Sequence, residues 1–457
     1  MAEQIPQIPD ALDWLRAENE TAWLSSVYVE PPKFTAMLNT PSIVIYGDPG
    51  SGKTALANEF VTRARQRPIP PLVLQWQPEF PLPDKKGSEA AVDFLEQILA
   101  ESARVLARGI SRNPGIYQNA CEADKNSARQ VLSSFLGPES ESLLSRLVSE
   151  ASPDGIAVIT QLLRQDTETW RPGTTLTYKI NMLVEAVRGL RMSGVWIMVD
   201  NLDPWLQVDA ERFAAYLLDL FSYLAMFENK GFAMKVFAPT SLRSVLVKSS
   251  GEERRRVATG ELTWPERELF LIAEKRLDAI FGVRGSGLSG LCKDDRFKVW
   301  LAKCSGRSPR GWLELLQLIR EAQVEVAPDR PLTEDEWVSA WRRSPPRLYV
   351  DPQSKRVFIG HGEITDIQPA GLQLLVFLLK QPEKRATKAA IYYKNNKGLD
   401  CEPREGDKNW EYRYTWERIV DTTINRLRAV IEPDPQKPIY LISERGKGFI
   451  KLENTHD

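Results

Sequence analysis

The stretch "SIVIYGDPGSGKTALANEF", residues 42–60, decides the fold. Its first residues form a short apolar run that predicts a buried strand, and "TALANEFVTRARQ" has the apolar spacing of an amphipathic helix. The residues between them fit the pattern G-x-x-x-x-G-K-[ST]: Gly47, Asp48, Pro49, Gly50, Ser51, Gly52, Lys53 and Thr54. Glycines let backbone N–H groups surround phosphates, lysine meets the phosphate charge and a hydroxyl serves Mg²⁺. The stretch therefore predicts a phosphate-binding loop between a strand and a helix.

A second apolar run, "GVWIMVDNLDP" (residues 194–204), ends in a carboxylate. Asp200 is the expected partner of Thr54 in holding Mg²⁺. Asn201 follows it, at a position where many ATPases have a glutamate that orients the attacking water. Because an amide cannot accept a proton, we expect slow hydrolysis unless Asp203 turns inward to replace the glutamate. The alternative is that Asp203 caps the helix that follows.

A third strand candidate, "FAMKVFAPTSLR" (residues 232–243), ends in polar groups that could sense a γ-phosphate. The candidates are Thr240, Ser241 and Arg243, although the same residue types also cap helices and form turns. The run "GEERRRVATGELTW" supplies Arg254–Arg256, which could act as an arginine finger on a neighbouring subunit or form a solvated face.

Further along, "SGRSPRGWLELLQLIREAQ" (residues 305–323) predicts a helix with one apolar face, made of Trp312, Leu315, Leu316 and Ile319. Arg310 lies at the head of this helix. An arginine on a helix that covers the nucleotide could close over its phosphates.

These motifs, in this order, resemble the AAA+/STAND branch of P-loop ATPases over roughly residues 40–343. The resemblance implies an α/β P-loop NTPase with a parallel sheet and a helical lid, and ATP as the nucleotide. It implies an ATPase core over residues 41–270 with a helical insertion at about 84–175, and a lid over 271–345. Residues 1–40 are expected to form an N-terminal helical segment. Lys53, Asp200, Asp203, Arg243 and Arg310 are the candidate catalytic residues.

The sequence changes character after Pro345 and Pro346, which predict the start of a new domain over residues 346–457. "QPAGLQLLVFLLKQPEK" predicts a helix with Leu372, Leu375, Val376 and Leu379 inward. "TWERIVDTTINRLRAVIEPD" predicts a second helix, and "PIYLISERGKGFIKLEN" predicts a hairpin with a basic tip. In the second helix Val420, Ile424, Leu427 and Ile431 share one face. Its other face is polar and could contact base edges.

The segment "VDTTINRLRAVIEPDPQKPIYLISERGKGF" resembles the OmpR/PhoB-type winged helix-turn-helix over about residues 347–454. The resemblance implies an α+β winged-helix domain whose long helix enters the major groove of double-stranded DNA and whose wing arginine enters the minor groove. Carried onto this chain, the resemblance implies groove or phosphate contacts at Asn425, Arg426 and Arg428 and a minor-groove contact at Arg445. The helical wheel adds Arg418 and Thr422, which share the polar face with Asn425, and the basic tip adds Lys447 as candidate DNA contacts. The loop before the long helix is longer than is usual in that family.

Composition sets the remaining limits. The 457 residues suffice for two or three domains, and 60 basic against 61 acidic residues favour neither a nucleic-acid nor a membrane role. Four scattered cysteines and two histidines argue against disulfides and a zinc site. Without an apolar leader or a run of about eighteen apolar residues, we expect a cytoplasmic protein.

Together these patterns predict a bacterial-type, slowly hydrolysing ATPase that binds ATP and Mg²⁺, self-associates on ATP binding and regulates transcription through duplex DNA. The 84–175 insertion could bind a protein partner. One alternative is an AAA+ motor that remodels DNA in transposition or anti-phage defence. The other is a signalling scaffold whose winged helix contacts proteins, which the near-neutral charge of the C-terminal domain leaves open.

Overall fold

The structure is a computed structural model that describes residues 23–77, 88–136, 146, 151–164, 174–204, 217, 220, 230–243, 258–444 and 448–456. The chain divides into two compact units. The N-terminal unit contains the described parts of Glu30–Thr263 with residues 23–25. The C-terminal unit contains those of Trp264–Asp457 with Ser26–Val29. The predicted helical lid and winged helix thus share one unit, and their finer division at residue 345 stays a prediction.

The N-terminal unit is built on a parallel five-stranded sheet, as the phosphate loop predicted. Its strands are β1 (Ile43–Gly47), β2 (Leu72–Trp76), β3 (Val195–Val199), β4 (Phe232–Pro239) and β5 (Ala258–Glu261), in the order β2-β3-β4-β1-β5. Every neighbouring pair is parallel. The carboxyl ends of β3, β4 and β1 therefore lie side by side at one edge, where open parallel sheets bind ligands.

The boundary between the two units falls within α1 (Leu24–Val27). The helices of the N-terminal unit are α2 (Phe34–Asn39), α3 (Lys53–Arg65), α4 (Ser88–Arg112), α5 (Gly115–Gln118), α6 (Glu122–Leu136), α7 (Pro153–Arg164) and α8 (Leu176–Gly189). The helices α4 to α7 occupy the predicted insertion. Their buried residues, such as Leu99, Leu132 and Ile159, belong to the same apolar cluster as Val44 and Val199 of the sheet. The described part of the insertion is therefore built into the core of the unit.

The C-terminal unit begins with five helices and continues with two small antiparallel sheets. The helices are α9 (Glu266–Phe281), α10 (Gly287–Leu291), α11 (Asp295–Ser305), α12 (Pro309–Val326) and α13 (Glu334–Arg343). One sheet has the order β6 (Leu348–Asp351), β7 (Arg356–Ile359) and β8 (Gly362–Glu363). No helix in the described ranges combines the length and the apolar composition that crossing a bilayer requires.

The winged-helix part follows this first small sheet. It contains α14 (Pro369–Leu379), a 3-10 turn (Pro382–Lys384), β9 (Arg385–Thr387), α15 (Lys388–Ala390) with a π-helical continuation (Ile391–Asn396), α16 (Arg413–Ile431), β10 (Leu441–Glu444) and β11 (Phe449–Leu452). The strands pair in the order β10-β11-β9. A long helix followed by a hairpin is the predicted winged-helix arrangement, and the α+β class is confirmed.

Two predicted helix faces are confirmed and one is wrong. The four apolar residues predicted on α12 are buried, and so are the four on α16. On α14 the buried residues are Gly371, Leu374, Leu375 and Leu378, so the predicted face agrees only at Leu375. Nearly every residue of α14 is apolar, and such a helix has no polar side to fix its orientation.

Lys235 is a fully buried lysine in β4, the central strand of the sheet. Its ammonium group donates to the carbonyl oxygens of Met37 (3.1 Å), Leu38 (3.0 Å) and Thr40 (2.7 Å) at the end of α2. It also lies 5.3 Å from the ring centre of Phe60 and 4.9 Å from that of Trp196. Burial without a carboxylate partner lowers the pKa of Lys235 from 10.5 to about 7.

This burial makes the stability of the protein depend on pH. Between about pH 7 and pH 10 the unfolded chain holds a proton on Lys235 that the folded protein has lost, so the free energy of unfolding should rise with pH. One proton gives a slope of at most about 1.4 kcal/mol per pH unit. Chemical denaturation of Lys235→Met should show a smaller slope than the wild type. Replacing the exposed Lys230 with methionine is the control, and equal slopes for wild type and Lys235→Met would contradict the assignment.

Candidate functional site

The predicted phosphate loop connects β1 to α3, and its backbone has a conformation that requires glycine. Gly50 (φ 80°) and Gly52 (φ 89°) lie in the left-handed region, and a Cβ on Gly47 would lie 2.4 Å from Ser51 Oγ. The N–H of Ser51 donates to the carbonyl of Asp48 (3.0 Å), which closes the turn. Because α3 begins at Lys53, the positive end of its dipole faces this loop.

Lys53 is buried beneath the loop, with 6% of its surface exposed. Its Nζ donates to the carbonyls of Gly47 (3.0 Å) and Asp48 (3.3 Å). The same nitrogen lies 3.1 Å from Oδ2 and 3.2 Å from Oδ1 of Asp203. A buried cation needs such partners, and here two carbonyls and a carboxylate supply them.

Asp200 lies at the carboxyl end of β3 and is 8% exposed. The hydroxyl of Thr54 donates to its carboxylate, and in the described part of the chain Oδ1 of Asp200 has no hydrogen-bond partner. Burial raises the pKa of Asp200. Hydrogen bonds from the Asn201 backbone and Thr54, and the charge of Lys53, act in the opposite direction and lower it. A buried carboxylate oxygen with free lone pairs beside a threonine hydroxyl fits Mg²⁺.

Asn201 directly follows Asp200 at the end of β3. Its φ of 61° lies in the left-handed region, which asparagine tolerates better than most residues. Of the two alternatives for Asp203, the structure places its carboxylate inward, against Lys53. Asp203 is thus the second acidic residue at this edge of the sheet, and its role in hydrolysis stays a prediction.

The sensor candidates follow β4, which lies between β1 and β3. Thr240 is half-buried at the strand end, and Ser241 is exposed. The guanidinium of Arg243 bonds Glu261 of β5 at 3.0 Å and lies 5.9 Å from the ring centre of Tyr46. Sequence reasoning missed Glu261, because only the pairing of β5 with β1 brings it to this edge.

Two further arginine predictions fall elsewhere. Arg310 is exposed in the first turn of α12, where Ser308 caps the helix. It belongs to the C-terminal unit, so its role as a residue that closes over phosphates stays a prediction. Arg254–Arg256 lie outside the described residues.

Some of the predicted DNA contacts are exposed to solvent, and one of them forms hydrogen bonds within the protein. Arg418, Thr422, Asn425 and Arg426 are exposed on α16. Arg428 is half-buried, and its guanidinium donates to the Leu441 carbonyl and to Ser443 Oγ, both at 2.8 Å. This arginine fixes α16 to β10, and its predicted contact with DNA is untested. Arg445 and Lys447 lie outside the described residues.

The buried Glu432 also anchors the hairpin. Its carboxylate accepts N–H groups of Ile439 (2.6 Å), Tyr440 (2.9 Å) and Leu441 (2.7 Å), the residues that lead into β10. Burial raises the pKa of Glu432, whereas these three hydrogen bonds lower it. The sequence analysis missed this residue because its partners are seven to nine positions away and lie in a loop.

Comparisons with known proteins give no family. No protein-family model matches the chain, and no curated protein sequence is similar to it. Among solved structures, the ORC2 protein of Aeropyrum pernix in its ADPNP–ADP complexes has 14% identity over 98% of this chain and 92% of its own, with a TM-score of 0.34. The ADP form of that protein has 15% identity over 97% of this chain and 91% of its own, with a TM-score of 0.33. The ORC1 protein of the same organism in complex with DNA has 14% identity over 95% of this chain and 93% of its own, with a TM-score of 0.33. These TM-scores are below 0.5, and the fold assignment depends instead on the strand order of the sheet and the geometry of the phosphate loop.

The contact between Lys53 and Asp203 predicts an effect on nucleotide affinity. Replacing Asp203 with asparagine should tighten ATP binding about fivefold, because phosphates would no longer compete with a carboxylate for Lys53 and a partly exposed ion pair contributes about 1 kcal/mol. Isothermal titration with a non-hydrolysable ATP analogue and Mg²⁺ measures this. Asp329→Asn, at an exposed carboxylate of the C-terminal unit, serves as the control. Unchanged or weaker binding by Asp203→Asn would show that the two ligands do not compete.

Proposed function

We propose that the chain is an AAA+ type, ATP-dependent DNA-binding regulator whose nucleotide state controls self-association and the binding of its winged helix to duplex DNA. One observation carries the nucleotide assignment. Lys53, Thr54 and the buried Asp200 come together at the carboxyl edge of a parallel sheet, with a carboxylate held where a phosphate would bind.

Each residue at this edge has a part in the proposed binding of ATP. The loop N–H groups and Lys53 hold the phosphates, while Thr54 and Asp200 hold Mg²⁺. The metal ion, when bound, neutralises phosphate charge. Asn201 cannot accept a proton, so the proposed hydrolysis is slow and the ATP-bound state lasts. Asp203, displaced from Lys53 by the nucleotide, would be the residue to orient the attacking water in place of a glutamate.

Close contacts within the C-terminal unit support the coupling to DNA. A Cβ on Gly362 would lie 1.7 Å from the carbonyl oxygen of Lys303, and the His361 N–H donates to the Cys304 carbonyl (3.0 Å). Lys303 Nζ donates to the Val430 carbonyl at the end of α16 (2.7 Å). These contacts join α11 to the β7–β8 turn and to the long helix. A movement of the lid on ATP binding would therefore carry the winged helix with it.

Self-association would strengthen DNA binding, which is weak for a single winged helix. One winged helix buries a modest area on DNA, so several copies held together gain affinity through effective concentration. ATP binding, by assembling the subunits, would then control the occupancy of DNA. Arg418 and Arg426 are exposed on α16, which leaves both accessible to phosphates or bases.

Loss of Lys53 tests the nucleotide part of this proposal. Lys53→Ala should abolish measurable ATP binding and any mass increase of the protein on addition of a non-hydrolysable ATP analogue, because the phosphates lose their buried cation. Titration calorimetry and light scattering give the two measurements. Lys230→Ala removes an exposed lysine and should behave as the wild type. ATP binding by Lys53→Ala at wild-type strength would refute the phosphate site.

Loss of the polar face of α16 tests the DNA part. Arg418→Ala and Asn425→Ala should each weaken duplex binding by about 1–3 kcal/mol, while ATP affinity stays unchanged. Fluorescence anisotropy at several salt concentrations measures both affinity and salt dependence. Gln373→Ala, at an exposed position of α14, is the control. If neither α16 variant lowers duplex affinity, the helix does not contact DNA.

A further inference from the structure

Two exposed tyrosines and a half-buried tryptophan form a cluster where α16 begins. We call Trp410, Tyr412 and Tyr414 the aromatic cluster. Tyr412 and Tyr414 are 61% and 77% exposed, and their rings stack with centres 5.7 Å apart and planes at 22°. Trp410 meets Tyr412 edge to face at 4.7 Å. Neighbouring exposed aromatic residues of this kind mark interaction sites more often than isolated ones.

The aromatic cluster is continuous with the exposed polar face of α16. Tyr414, Arg418, Thr422 and Asn425 follow one another at i, i+4, i+8 and i+11, so they lie within about 80° on one side of the helix. In helix-turn-helix proteins the N-terminal part of the recognition helix contacts bases. The cluster therefore lies at the end of the helix that would be nearest the bases.

The chemistry of the cluster fits a flat, polar-edged ligand. Two nearly parallel tyrosine rings offer an open π surface, and the Arg413 side chain between them in sequence is 78% exposed. Stacking on such rings is how proteins bind bases of single-stranded nucleic acid. An apolar protein partner would favour aliphatic residues, but Ile419, the exposed aliphatic residue of α16, lies about 140° around the helix from Tyr414.

We propose that the aromatic cluster stacks an unpaired DNA base next to the duplex contacted by α16. This inference rests on the proposed function, since it assigns the cluster to the same DNA-binding surface. It makes DNA with a junction between paired and unpaired bases the preferred ligand. Tyr412 and Tyr414 would bind the unpaired base, while Arg418, Thr422 and Asn425 bind the duplex.

The test compares a blunt duplex with the same duplex carrying a short single-stranded extension. Anisotropy gives affinities, and 2-aminopurine in the extension reports stacking through loss of its fluorescence. The wild type should bind the extended DNA about 5- to 100-fold more tightly than the blunt duplex. Tyr412→Ala and Tyr414→Ala should lose this preference and the fluorescence change, and should keep blunt-duplex affinity. Tyr412→Phe and Tyr414→Phe should keep both, because a phenyl ring still stacks.

Controls separate this inference from the proposed function. Tyr349→Ala removes a tyrosine of β6 that is 45% exposed and should match the wild type. Equal binding of both DNAs by the wild type, or a preference that survives both alanine substitutions, would overturn the inference. In that case, duplex affinity that still depends on Arg418 and Asn425 would leave the proposed function in place. If the wild type binds neither DNA, both are overturned.

Discussion

The burial of the Lys53 ammonium group is the interaction on which the proposed nucleotide site depends. A buried cation must be paired, and here two loop carbonyls and the Asp203 carboxylate provide its partners. This pairing is possible because β4 separates β1 from β3 by one strand, which brings residues 150 positions apart to the same edge. The structure shows Asp203 on Lys53, and the proposed function requires a second arrangement with phosphates in its place.

Close contacts join the helices of the C-terminal unit to its small sheets and to the winged-helix part. Glycines at 306, 311 and 362 let the turn before α12 and the β7–β8 turn approach to backbone contact. Larger side chains at these positions would separate them. Arg342 donates to the Lys437 carbonyl (2.7 Å), and Lys437 pairs with Asp335 (3.3 Å), so α13 also contacts the loop before β10. Packed contacts of this kind transmit movement as a body, whereas a free linker would not.

Charged residues of the winged helix have two separate roles. Arg428 and Glu432 are partly or fully buried and hold α16 to β10 through backbone groups. Arg418 and Arg426 extend into solvent. A charge that satisfies buried backbone groups stabilises the fold, and one left in solvent is available to DNA. The aromatic cluster adds an exposed apolar surface to the second group.

Local sequence patterns were enough to predict the phosphate-loop motif, the parallel α/β class and the buried faces of α12 and α16. Each depends on residues close together in the chain, whose spacing matches a turn or a helical period. The inward position of Asp203, the partner of Arg243, the orientation of α14 and the incorporation of α4 to α7 into the sheet's core could be learned only from the folded protein. These features depend on contacts between distant segments, which strand pairing creates and local spacing does not encode. The exposure of Tyr412 and Tyr414 is of the same kind, because an aromatic residue becomes surface only when no other segment covers it.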